Sequence, residues 1–123
     1  MTPTTRCLLA AAVLGFIASP AYAACDMVNF PETHVSKDSD IDQLRAAGTA
    51  IQKGNDDLEK FNQCIDKMAK EPLPKDASKE AIAAREAEIS KNTDAYNKSL
   101  DNLQKAAGEY NEAVKAYKAR AKG

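Results

Sequence analysis

Few side chains in this chain could do chemistry, and they stand far apart in sequence. His34 is the only histidine, and the cysteines are Cys7, Cys25 and Cys64. Acid–base or nucleophilic catalysis built on a histidine needs a carboxylate, hydroxyl or thiol held against it. The neighbours of His34 are Thr33 and Val35, with Pro31 close by, so it reads as an exposed or groove-lining residue. A metal centre needs several His or Cys ligands at short spacing. The sequence contains no such cluster, and no phosphate loop, dinucleotide fingerprint, haem-attachment motif or calcium loop. Asn97-Lys98-Ser99 matches a glycosylation sequon but falls inside a helical pattern and reads as chance. We therefore expect no catalytic residue, no metal ligand and no cofactor, and a protein that is not an enzyme.

The cysteines have chemistry of their own. Residues 1–23 carry one charge, Arg6, then an apolar run over 7–18, then Pro20 and Ala21-Tyr22-Ala23. A positive start, a short apolar core and a small-residue site make a secretory signal peptide, with cleavage expected after Ala23. The apolar run is about 12 residues, short of the roughly 20 that span a membrane. Cys7 leaves with this segment. Cys25 and Cys64 remain as an even pair in an oxidising compartment, periplasmic or secreted, where a disulfide is the default. Two other fates stay open at this point. Cys25 follows Tyr22-Ala23-Ala24, which fits a lipobox at two of three positions, so a lipid anchor is one; free or intermolecular thiols are the other.

Charge excludes some functions. Residues 1–23 hold one of the 17 basic side chains, leaving 16 basic against 18 acidic in the rest. This near balance argues against a dedicated nucleic-acid binder. Large aliphatic side chains and Phe are sparse, Ala is abundant, and 28% of the chain is charged. Such a composition favours long helices over a thick globular core.

The elements follow from spacing. Residues 24–38 contain Pro31 and read as an extended N-terminal arm. Ser39 or Asp38 can cap the helix that follows. Leu44, Ile51, Leu58 and Ile65 recur every seven residues, with companions Ala47/Gly48, Gly54/Asn55, Phe61/Asn62 and Met68/Ala69, which predicts a helix over 39–70. Pro72 and Pro74 break it in the turn 71–76. Asp76 or Ser78 caps a second helix over 77–121, with the stripe Ile82, Glu86, Ile89, Thr93, Tyr96, Leu100, Leu103, Ala107, Tyr110, Val114 and Tyr117. The 3-4 repeat predicts an all-α fold, a long antiparallel two-helix hairpin of coiled-coil type.

Folding the chain at Leu73 pairs Ile65 with Ile82, Leu58 with Ile89, Ile51 with Tyr96 and Leu44 with Leu103, large against large throughout. A one-residue shift of that pairing sets Asn62 against Glu86 and Asn55 against Thr93 as polar layers. It leaves Tyr110, Val114 and Tyr117 beyond Ile41 without a partner. Either the arm near Val35 covers them, or the helix end frays, or they form an interaction stripe for a second copy or a partner helix. An arm of about 13 residues reaches roughly 43 Å, enough to run back along the first helix to Cys64. Met27, Val28, Phe30 and Val35 would then fill the hairpin's groove.

Cys25, Pro31 and the run Phe61-Asn62-Gln63-Cys64-Ile65-Asp66 resemble a loose group of small exported bacterial helical-hairpin proteins with one N-terminal and one mid-chain Cys. The resemblance implies the Cys25–Cys64 pairing and no particular activity. The expected role is a non-catalytic envelope interaction or structural module. The alternatives are a carrier of a small ligand or metal between arm and hairpin, near Phe30, Phe61 and Met68, and a lipid-anchored envelope protein.

Overall fold

The computed structural model describes residues 25–26 and 33–123. The expected signal segment with its expected cleavage site and Met27, Val28, Phe30 and Pro31 of the arm lie outside the described residues. Two helices, α1 (Ile41–Lys70) and α2 (Lys79–Lys122), pack against each other as an antiparallel hairpin.

Each helix starts where a side chain can satisfy its free N–H groups. Asp40, rather than Ser39 or Asp38, caps α1: its carboxylate accepts from Gln43 N–H at 2.8 Å, and its own N–H donates to Gln43 Oε1 at 2.9 Å. This reciprocal box serves two donors at once. Ser39 has a different task. Its hydroxyl accepts from Ser36 N–H at 2.9 Å while its N–H donates to the Ser36 carbonyl at 3.1 Å, closing the turn that leads into α1. Ser78 caps α2, accepting from Ala81 N–H at 3.1 Å. Between the helices, Pro72 and Pro74 prevent continuation, and Ala77 N–H donates to the Pro74 carbonyl.

Salt bridges decorate the exposed faces. Lys70 reaches Asp66, Lys60 reaches Asp57 and Lys105 reaches Glu109. The hydrogen bond from Lys53 holds the Asp57 carboxyl below its ordinary range, and Lys115 does the same for Glu112. Both effects favour the folded state above the ordinary carboxylate pKa and fade as pH falls through the lowered one. Exposed pairs of this kind are worth little individually.

On α1 the buried side is as the spacing predicts: Leu44, Ala47, Leu58, Phe61, Ile65 and Met68, with Gly54 beneath them. On α2 half of the expected stripe is displaced. Ile89, Tyr96, Leu103, Tyr110 and Tyr117 face inward, but their buried companions are Arg85, Asn92, Ala106 and Ala113, each one residue before the expected Glu86, Thr93, Ala107 and Val114, while Ser99 and the expected Leu100 are both half-buried. The expected polar layers do not form, since Asn55, Asn62, Glu86 and Thr93 are all exposed. The polar residues in the seam are Arg85 and Asn92.

The pairing of the helices also differs from the sequence-based one, by about one heptad. Arg85 donates to the carbonyl of Met68. Ile89 and Tyr96 pack on the cluster of Phe61, Ile65 and Met68. The Tyr110 hydroxyl comes so near Gly48 that a Cβ there would lie 3.1 Å away. Ile82, expected opposite Ile65, remains 38% exposed. A physical reason is at hand: this pairing lets Arg85 satisfy a carbonyl in the last turn of α1, where no helix N–H can reach. It also explains Gly48. Gly48→Ala adds helix propensity but crowds Tyr110, so the two effects offset. Gly48→Leu should cost about 1–3 kcal/mol by overpacking, read as a lower Tm in thermal circular dichroism; an unchanged Tm would disprove the close approach.

Candidate functional site

The best-defined chemical feature is the disulfide. Cys25 and Cys64 are bonded, with an S–S distance of 2.04 Å and Cα atoms 5.8 Å apart. Cys64 stands on α1 one turn from Phe61 and Met68. Cys25 is buried with Phe61, Ile65 and Met68, while Ile89, Ala95 and Tyr96 pack against this cluster from α2. The bond therefore ties Cys25 to α1, and the cluster around it packs against α2. A sulfur bonded in this way cannot also carry a thioether-linked lipid, so the two fates of Cys25 exclude each other.

The arm's other end is held by α2. Arg120 donates to the carbonyl of Lys37 and, at 2.9 Å, to that of Ser39. Its guanidinium also lies 5.9 Å from the Tyr117 ring centroid, within cation–π range. Val35 is half-buried and, with Ser36 and Lys37, borders an open groove of about 420 Å³ whose other wall is Lys105, Gly108, Glu109 and Glu112. At Gly108 nothing lies within 4 Å of a built Cβ.

These contacts relocate the expected interaction stripe. Tyr110, Val114 and Tyr117 do not run past the end of α1. Tyr110 sits at Gly48, and Arg120, beyond the whole stripe, reaches the carbonyls of Lys37 and Ser39 just before α1 begins. All three residues are half-buried, and Val35 borders the same stretch of α2. The displaced pairing carries this correction, because shifting α2 by a heptad brings its C-terminal part back alongside α1.

His34 is exposed in the segment leading to α1. Among the described residues no group of three His, Cys, Asp or Glu is placed to hold a metal ion, and no helix is long and apolar enough to cross a membrane. A second open groove is lined by Gln63, Asp66, Lys67, Lys70 and Glu71 along α1 and is simply a charged helix face.

Arg85 and Asn92 are the residues that spacing missed. Both are polar, so a search for apolar periodicity passes over them. Their signal was that Arg85, Asn92, Ser99, Ala106 and Ala113 also recur every seven residues. Asn92 is 5% exposed, and its amide nitrogen Nδ2 has no hydrogen-bond partner.

Comparison of the chain with protein-family models, with curated proteins and with solved structures finds no match in any of the three.

Proposed function

We propose that the protein is a non-catalytic, exported module of the cell envelope, periplasmic or secreted, that interacts through its helical faces. The observation that carries the reading is that Tyr110, Val114 and Tyr117 each keep part of their surface exposed, although Tyr110 also packs at Gly48, on a capped and stapled scaffold. Aromatic side chains supply large contact area at low entropic cost. The occupant we favour is a second copy, pairing α2 with α2 in a four-helix arrangement. The double variant Tyr110→Ala/Tyr117→Ala should abolish association in sedimentation at matched helicity. Assembly equal to that of the unaltered chain would rule out the stripe as interface.

A carrier of a small ligand or metal is the second reading; its expected place near Phe61 and Met68 is filled by core packing, and the open groove between Val35 and Gly108 is a separate, charged one. A rise in Tm with small apolar compounds would favour it, and a flat response across a panel would count against it. Native non-reducing mass spectrometry of protein purified from its own envelope addresses export and anchoring together. Export without a lipid predicts a chain starting at Ala24, two hydrogens lighter than the reduced form. A lipid-sized increment on Cys25 would replace this with the anchored reading.

A further inference from the structure

We infer that the hairpin has a second packed arrangement in which α2 is displaced along α1 by one heptad, about 10 Å. The large side chains of α2 spaced by seven are Ile82, Ile89, Tyr96, Leu103, Tyr110 and Tyr117; those of α1 are Leu44, Ile51, Leu58 and Ile65. Six positions offered to four can be paired large against large in more than one way. In the described pairing Ile82 is the residue left out, at 38% exposure. Displacement by seven residues brings Ile82 over Ile65 and keeps four large pairs.

A second observation points the same way. Asn92 lies between Ile89 and Tyr96 at the level of Phe61, buried, with its amide nitrogen unpaired. An unmet buried donor disfavours the arrangement that strands it. After the displacement Asn92 meets Gly54, which has no side chain and leaves room for water at the amide. Against these two gains stand the bonds that the described pairing alone makes: Arg85 to the Met68 carbonyl and Arg120 to the carbonyls of Lys37 and Ser39. The two arginines act as locks at opposite ends of α1. The connection permits the motion, because the eight residues between Lys70 and Lys79 reach about 26 Å when extended. Such register shifts occur on the microsecond-to-millisecond scale.

The displacement would carry Tyr110 and Tyr117 past the start of α1. It rests on packing alone; its use as a gate for those tyrosines rests on the docking reading above. The test measures distance, not binding, so either can fail without the other. Spin labels at Gln52→Cys and Lys118→Cys, both exposed sites, are introduced with the native disulfide intact. The expected result is one main distance and a minor one about 10 Å longer. Arg85→Met/Arg120→Met should raise the minor population about tenfold or more, and Asn92→Leu should remove it. A single unchanged distance in the helical arginine variant overturns the inference. Loss of helicity in that variant also overturns it, since the arginines would then hold the fold instead of choosing between two pairings.

Discussion

Replacing both Cys25 and Cys64 by serine is expected to lower the Tm by about 20 °C. The disulfide closes a loop across 39 residues of sequence, worth roughly 4 kcal/mol in the chain-entropy model. Each kcal/mol moves the Tm of a domain this size by about 4–8 °C. The loss should be large because the seam is thin: no large side chain among the described residues is completely buried. Calorimetry of the oxidised chain against the double variant measures it. A fall below about 5 °C would mean that the arm contributes little and that the helices alone carry the fold.

Phe61→Ala should have the next largest effect, about 3–5 kcal/mol. Phe61 is 4% exposed at the centre of the cluster that includes Cys25, Ile65 and Met68, with Ile89 and Tyr96 closing it from α2. Removing its ring takes away the surface on which arm and both helices meet. Leu103→Ala, in the seam farther from the disulfide, should cost about 2–4 kcal/mol and leave the arm in place. Phe61 and Cys25 touch the same neighbours, so combining Phe61→Ala with the serine pair should cost less than the sum. The shortfall should be about 0.5–3 kcal/mol in a double-mutant cycle. Additive losses would show that the disulfide and Phe61 stabilise separate regions.

The sequence was most informative where composition and spacing agreed. Two helices, the proline break, the antiparallel hairpin and the Cys25–Cys64 bond were all legible, because seven-residue spacing and cysteine parity are strong local signals. The buried side of α1 was legible for the same reason: its companions Ala47, Phe61 and Met68 are apolar. On α2 the apolar residues misled. Ala107 and Val114 lie one position from the buried line and drew the stripe toward them, whereas the buried companions are arginine, asparagine and two alanines. Those positions are small or polar because one end must serve a helix-end carbonyl and the other lies near the arm, at Val35. The pairing of the helices was illegible by size matching. Each α2 position in the stripe can meet a large α1 residue in more than one alignment, so only specific contacts could choose, here the two arginines and the Gly48–Tyr110 approach. The candidate stripe at Tyr110, Val114 and Tyr117 inherited that ambiguity.

The grip of Arg120 on Lys37 and Ser39 bridges 83 and 81 residues of sequence, about twice the span of the disulfide. A chain emerging N-terminus first can join Cys25 to Cys64 while most of α2 is still unmade. The tie of Lys37 and Ser39 to α2 forms only once Arg120 has been made. Assembly then has a built-in order of span: the Cys25–Cys64 loop can close before the C-terminal part of α2 ties to the start of α1. A chain cut short before Arg120 would keep its disulfide and lack that final tie, which gives quality-control proteases a frayed end to find.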